Sequence, residues 1–159
     1  MPRIEPTPTP LSQPFWDATR DRRLLAQRCA MCDRYVWYPR EHCPGCLRSE
    51  LEWVELSGNG TIYTFNVMRK PGNPMMADAV PYVLALVDLD EGVRMTTNIV
   101  HVSPEEVRCG QRVSVDWSIQ LDDGRCLPTF APTVRSPPTR TSPMRRLVAR
   151  PDQGSEGPS

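Results

Sequence analysis

Short runs of alternating apolar and polar residues dominate the middle of the chain, a pattern typical of β-strands with one buried face. Tight turns separate two pairs of these runs, at Asp90-Glu91-Gly92 and at Asp122-Asp123-Gly124. Residues 103–107 are predicted to form a one-turn helix, with Ser103 as its cap and Pro104 at its first position. The predicted strands cover residues 61–70, 82–89, 94–100, 112–121 and 126–130.

The order of these elements predicts a mainly β protein in which residues 57–132 form a barrel. Five strands with a short helix between the third and the fourth match the order of an OB-fold, and the spacing also leaves other small β-barrels open. Tyr63 and Phe65 alternate on the first strand, where aromatic residues of nucleic-acid-binding OB domains stack bases. The opposite face carries Ile62 and Met68, so barrel packing or a protein interface is favoured for this strand.

An N-terminal helix is predicted over residues 12–27. Ser12 or Gln13 can begin it, and Pro14 suits the first turn because its missing N–H is not needed there. Phe15 and Trp16 lie close together on its apolar face. They either pack on the chain's own barrel or anchor a partner protein, since aromatic residues are frequent at interfaces.

Both ends of the chain are predicted to be disordered. Residues 1–11 are dominated by Pro and Thr, and residues 133–159 by Pro, Arg, Ser and Thr, so neither segment can bury much apolar surface. The formal net charge is zero, but residues 133–159 carry +3 and residues 61–132 carry −3. The acidic balance of the barrel disfavours a nucleic-acid partner there, because phosphate binding depends on Lys and Arg.

Nothing in the sequence directs the protein to a membrane or out of the cell. The longest apolar run is far shorter than the ~18 residues that a membrane span needs. Residues 1–10 lack the apolar region of a signal peptide. We therefore expect a cytoplasmic protein whose thiols stay reduced.

Four cysteines between residues 28 and 56 have the spacing of a zinc ribbon. Cys29 and Cys32 form one CxxC pair, Cys43 and Cys46 form a second, and ten residues separate the pairs. Two such knuckles surround one tetrahedral ion, so zinc is predicted; iron on the same ligands and a redox dithiol are less favoured alternatives. Four thiolates leave no open position, so the site is expected to be structural, and His42 is expected to be solvated rather than a ligand.

Other chemistry-bearing residues have simpler interpretations. Cys109 and Cys126 would need a base to act as nucleophiles, and nothing in the sequence places His101 beside either. Asp88 and Asp90 flank a hairpin turn, where acidic residues are common for reasons of turn geometry. No catalytic residue is therefore predicted.

These features together resemble the domain-of-unknown-function 35 (DUF35) family. The resemblance covers residues 12–132, includes the zinc ligands and excludes the tail. Outside the cysteines it rests on the following stretches: Pro14-Phe15-Trp16, Gly60-Thr61-Ile62-Tyr63-Thr64-Phe65, Pro81-Tyr82-Val83-Leu84-Ala85-Leu86-Val87, Thr97-Asn98-Ile99, Gly110-x-x-Val113 and Leu127-Pro128-x-Phe130. It implies a helix and a rubredoxin-like zinc ribbon followed by an OB-fold.

The resemblance also implies a function. Members of the family are accessory subunits of thiolases, lipid-transfer-protein-like aldolases and related acyltransferases, so a non-catalytic subunit of a hetero-oligomer is expected. The OB domain of such an assembly can border the acyl-CoA channel. Arg69 and Lys70 precede a Pro/Gly/Met loop and are candidates for contacting CoA, although a solvated strand end is the favoured interpretation. The alternatives are a single-stranded nucleic-acid-binding module and a stand-alone acyl-CoA-binding protein or enzyme.

Overall fold

The computed structural model of the chain describes residues 6–72 and 74–133, and it confirms a mainly β architecture. One short helix, α1, precedes a three-stranded sheet and a closed five-stranded barrel. No helix in the described ranges is both long and apolar enough to cross a membrane. The elements are α1 (Gln13–Ala18), β1 (Leu25–Cys29), β2 (Tyr35–Val36), β3 (Leu51–Glu55), β4 (Asn59–Met68), β5 (Tyr82–Leu89), β6 (Arg94–Ile99), β7 (Arg112–Gln120) and β8 (Cys126–Pro132).

The barrel has the strand order expected of an OB-fold, β4-β5-β6-β8-β7. Only β6 and β8 pair in parallel, and each of the five predicted strands lies within two residues of an observed one. Inward-facing apolar side chains fill the interior, and Ile62, Val87, Val113 and Phe130 are almost fully buried there. Gly60 has no room for a side chain, because a Cβ atom would stand 2.6 Å from the carbonyl oxygen of Asp88.

The predicted helix over residues 12–27 is wrong beyond its first two turns. It begins as expected, with Ser12 at the N-cap position, but α1 ends at Ala18 and a 3-10 turn follows. Arg22 then adopts a left-handed conformation with a φ of 57°, which turns the chain away from the helix axis. Residues 25–29 form the central strand β1, so the ribbon sheet begins before the predicted boundary at residue 28.

The helix was predicted too long because residues 24–27 are all buried, so they show no pattern of buried and exposed positions. β1 pairs with both β2 and β3, and its backbone hydrogen bonds are satisfied across the sheet rather than along a helix. The sequence Leu24-Leu25-Ala26-Gln27 has no alternation that distinguishes a strand from a helix. Tertiary pairing therefore decides the conformation of this segment.

The predicted disorder of residues 1–11 does not hold for residues 6–11. Thr9 and Ser12 exchange hydrogen bonds just before α1, and the Arg125 guanidinium donates to the carbonyl of Pro6 over 2.9 Å. The predicted disorder of the tail falls on residues outside the described range, apart from Thr133. The short helix between β6 and β7 is confirmed as a 3-10 turn (Pro104–Glu106), but the Ser103 hydroxyl donates to the Glu105 carboxylate instead of capping it.

Candidate metal centre and aromatic cleft

The four predicted zinc ligands lie on two knuckles with the same backbone geometry. In the first, Cys29 donates its N–H to the carbonyl of Arg34, and Asp33 donates back to Cys29, both over 2.9 Å. In the second knuckle, Cys43 donates its N–H to the carbonyl of Arg48, and Leu47 donates its N–H to the carbonyl of Cys43. Asp33 and Leu47 both have a positive φ, near 60°, which reverses the chain after each CxxC pair. Each knuckle therefore directs its two sulfur atoms to the same side.

The sulfur atoms converge at the distances that a tetrahedral zinc ion requires. All four Sγ atoms lie within 4.8 Å of one another. The Cys29–Cys46 and Cys32–Cys43 Sγ separations are 3.5 Å and 3.6 Å, close to the ~3.8 Å edge of a tetrahedron with 2.3 Å Zn–S bonds. Backbone N–H groups of Cys46 and Gly45 lower the pKa of the Cys43 thiol to about 6, which favours the thiolate form that binds metal. The residues fit a structural zinc ion.

The zinc ribbon and α1 are joined to the barrel by aromatic packing. The Phe15 ring meets the rings of Trp16 and Trp37 edge to face, with centroids 4.9 Å and 5.1 Å apart. Phe15 is only 4% exposed and belongs to the same core as the barrel residues. Leu56, at the end of the ribbon, donates its backbone N–H to Leu24 over 2.8 Å. The helix thus lies between ribbon and barrel and contacts both.

An apolar cleft opens where these three parts meet. It encloses about 260 Å³ and has walls from α1, from the segment after β2, and from β6 and β8. Its floor and rim include Phe15, Trp16, Trp37, Tyr38, Thr96 and Leu127. Tyr38 is 56% exposed at this cleft, and the Trp37 indole N–H is buried without an acceptor among residues 6–72 and 74–133.

The sequence did not reveal this cleft. Residues 35–39 have the composition of a short β-prone stretch between the cysteine pairs. The run Trp37-Tyr38-Pro39 is unusual in its aromatic content, but its position against Phe15 and β8 depends on contacts far apart in the chain. The aromatic run itself was the only available signal.

The structure separates the residues that were predicted to contact other molecules. Phe15 packs on the chain's own core, whereas Trp16 is half-buried and lines the cleft. Arg69 and Lys70 are exposed and directly follow β4. The Arg69 guanidinium lies 3.7 Å from the Glu105 carboxylate. Both side chains of that ion pair are about two-thirds exposed, so solvent weakens it.

The candidate carboxylates of the hairpin turn are engaged in ion pairs. Arg94 makes two hydrogen bonds to Asp88 and lowers its pKa, and Arg112 does the same for Asp90. Arg94 also lies 3.5 Å above the exposed ring of Tyr63. These carboxylates stay charged near neutrality and have surface partners, which agrees with their interpretation as turn residues.

The remaining cysteines and histidines do not form a catalytic group in the part of the chain that the structure describes. Cys126 is buried, as expected, and Cys109 is exposed. His101 lies 3.3 Å from the Asp116 carboxylate on the surface. His42 is exposed, and the cluster of potential metal ligands contains only the four cysteines.

Family models match most of the folded chain. The model described as "ChsH2, rubredoxin-like zinc ribbon domain" matches residues 16–52, and "ChsH2, C-terminal OB-fold domain" matches residues 53–118. The division at residue 52 falls inside β3, the last strand of the ribbon sheet.

Similar proteins include both scaffold proteins and enzyme subunits. The chain is 40% identical over 121 residues to a probable enoyl-CoA hydratase alpha subunit of Thermomonospora curvata, covering 76% of this chain and 37% of that subunit. It is 36% identical to a DUF35 domain-containing scaffold protein of Methanocaldococcus jannaschii (69% of this chain, 78% of that protein). It is 29% identical to the benzoylsuccinyl-CoA thiolase subunit BbsA of Geobacter metallireducens (58% and 60%).

Among solved structures, the Ltp2-ChsH2(DUF35) aldolase contains a similar chain. Its TM-score is 0.74 and its sequence identity 36%, and the match covers 82% of this chain and all of that chain. The similarity therefore extends over the helix, ribbon and barrel together.

Proposed function

The chain belongs to the DUF35 family of zinc-ribbon and OB-fold proteins, and from that premise we propose that it is a non-catalytic accessory subunit of a thiolase-superfamily enzyme acting on acyl-CoA thioesters. The closed four-thiolate site carries the non-catalytic part of this proposal. Four thiolates fill the coordination shell of the metal and leave no position for substrate or water. The relatives named scaffold protein, thiolase subunit and aldolase agree with such a role. The chemistry would then belong to a thiolase-like or lipid-transfer-protein-like partner, in a hetero-oligomer.

The partner surface proposed here is the exposed side of the junction between helix and ribbon. Trp16 and Tyr38 are aromatic, incompletely buried and adjacent to the cleft, which is the composition of an interface anchor. Phe15 would contribute by holding α1 in place rather than by touching the partner. The zinc ribbon would act as a brace that keeps this surface in one shape.

Co-expression tests the proposal directly. We expect a candidate thiolase-like enzyme from the same organism to gain solubility, and to gain acyl-CoA cleavage or condensation activity, when the two are produced together and co-purify. The isolated chain is expected to show no turnover of the same thioesters. An enzyme equally soluble and active without the chain would refute the accessory role.

We further propose that Arg69 and Lys70 contact the phosphates of CoA at the edge of the partner's substrate channel. Both cations are exposed, and a loop with prolines and a 3-10 helix (Pro74–Ala79) follows them. Arg69 can form charge-assisted hydrogen bonds with a phosphate, and its present contact with the Glu105 carboxylate, 3.7 Å away and exposed to solvent, is weak. Ligand binding can therefore replace this ion pair at little cost.

The double variant Arg69→Ala/Lys70→Ala is expected to weaken acyl-CoA binding by the assembled complex about tenfold, the loss of one or two exposed charge-assisted contacts. The matched control Arg40→Ala/Arg48→Ala also removes two exposed cations, but from the ribbon, and should leave the affinity unchanged. Isothermal titration with acyl-CoA at two salt concentrations measures both. Equal affinities of the two variants would remove the CoA role.

A cytoplasmic location is also proposed. A four-thiolate zinc site requires reduced cysteines, which the cytoplasm maintains. All six cysteines lie in the described part of the chain, and none of them forms a disulfide.

A further inference from the structure

The aromatic cleft has the features of a site for a proline-rich segment. Such segments adopt an extended helix without internal hydrogen bonds, and they dock in grooves lined by aromatic rings. Phe15, Trp16, Trp37 and Tyr38 line this cleft, and they come from two different parts of the chain. The lining is strongly apolar, so an occupant that covers it would remove aromatic surface from water.

The Trp37 indole offers its ring to such an occupant, and not its N–H. The N–H is buried even though the cleft is open, and it has no acceptor among the residues of the described ranges. An occupant would therefore gain from covering the rings rather than from a hydrogen bond to Trp37.

The chain carries a proline-rich segment within reach of the cleft. Residues 135–140 are Arg-Ser-Pro-Pro-Thr-Arg, and they begin two residues after Thr133. Thr129 lies in the cleft wall, and four residues of strand separate it from Thr133, about 13 Å at ~3.3 Å per residue. Pro137 and Pro138 follow Thr133 by four and five residues, about 12–16 Å at ~3.1 Å per residue. A chain that reverses after Thr133 therefore reaches the cleft with these two prolines.

The charges of the two parts are complementary. Residues 134–159 contain five Arg, one Asp and one Glu, a net charge of +3, so the rest of the chain carries −3 because the formal total is zero. The two arginines that bracket the prolines, Arg135 and Arg140, suit the negative balance of the folded part.

We propose that residues 135–140 of this chain's own tail occupy the aromatic cleft, with Pro137 and Pro138 on the rings. The segment would cover Trp16 and Tyr38, the aromatic side chains that otherwise face outward at this junction. A protein that docks at the same rings would have to displace it. The tail thereby becomes an internal competitor for that surface. This occupancy does not depend on the proposed function.

The indole N–H signals of Trp16 and Trp37 in two-dimensional NMR of the zinc-loaded full chain test this proposal. The variant P137A/P138A is expected to move both signals. A peptide of residues 134–145, added in trans, should restore them and bind the variant at least tenfold more tightly than it binds the unmodified chain, whose cleft is already filled. The control P143A/P151A removes two prolines from the same tail outside the segment and should move neither signal.

A second pair of variants locates the peptide. In the P137A/P138A background, Tyr38→Ala should weaken peptide binding about fivefold or more, whereas Tyr63→Ala, an exposed tyrosine on the barrel, should not change it. Unmoved indole signals in P137A/P138A, or equal peptide affinities for variant and unmodified chain, would overturn the proposal. Signals that shift with protein concentration would overturn it in favour of a second copy's tail, and signals that move only when the partner enzyme is added would assign the cleft to that enzyme.

Discussion

Replacing Cys43 with serine is expected to release the zinc ion, unfold the ribbon and abolish assembly with the partner enzyme. Cys43 is fully buried in the site, and the lowered pKa of its thiol favours the metal-binding form. A serine hydroxyl stays protonated and is a poor zinc ligand, so three thiolates remain. Structural zinc supplies about 10–16 kcal/mol of folding free energy in zinc-finger peptides, which no other interaction of the ribbon can replace.

The small size of the ribbon core makes this dependence severe. Its buried residues are Cys29, Val36 and Cys43, with Cys46 and Leu51 packed against them. Val36 is the only buried residue of this group that is not a metal ligand. Burial of one valine contributes about 1.5–3 kcal/mol, which cannot order the two knuckles. The sheet behind them also packs on the barrel core, through Tyr35, Trp37 and Trp53, so zinc is the core of the knuckles themselves.

Zinc content, thermal unfolding and co-purification of the partner measure the outcome together. We expect Cys43→Ser to hold less than about a tenth of the zinc of the unmodified protein. Cys109→Ser removes an exposed thiol outside the site, so it should leave zinc, unfolding temperature and assembly unchanged. A Cys43→Ser complex that stayed assembled but lost its activity would instead assign the zinc site a role in the chemistry.

The parts of the structure that sequence reasoning predicted are those with local signals. Each CxxC pair and the turn that follows it span six residues. The knuckles and the metal that they bind can therefore be predicted from spacing. The strands of the barrel carry their own alternation and turn residues, as in β5, where every second residue faces the core. The OB order then followed from the number of strands and the position of one short helix.

The parts that it missed depend on contacts between distant residues. Residues 25–27 of β1 were predicted as helix because the backbone hydrogen bonds that make them a strand come from β2 and β3, which lie on either side of β1 in the sheet. A bulge between Ile62 and Thr64 shifts the alternation of β4, so Tyr63 points outward while Phe65 packs against the core. The cleft joins α1 to β8, more than 100 residues away, and no local pattern encodes such a meeting.

Replacing Phe15 with alanine is expected to destabilise the protein by about 3–5 kcal/mol while leaving zinc bound. Phe15 touches both Trp16 and Trp37 and also belongs to the barrel core, so its removal leaves a cavity beneath both rings. The zinc ligands form a separate buried cluster that Phe15 does not enter. Denaturant unfolding, followed by tryptophan fluorescence, measures the loss, and a zinc assay on the native variant measures metal retention.

Leu47→Ala is the matched control for an apolar side chain outside the core. Leu47 is 76% exposed, so its truncation should change the free energy of unfolding by less than about 0.5 kcal/mol. If Phe15→Ala cost no more than this control, α1 would not be the link between ribbon and barrel. If it lost zinc in proportion to its stability, the ribbon and the barrel would unfold as one unit and the zinc ion would stabilise both. Destabilisation with zinc retained means instead that the metal orders the ribbon and that aromatic packing, through Phe15, attaches it to the barrel.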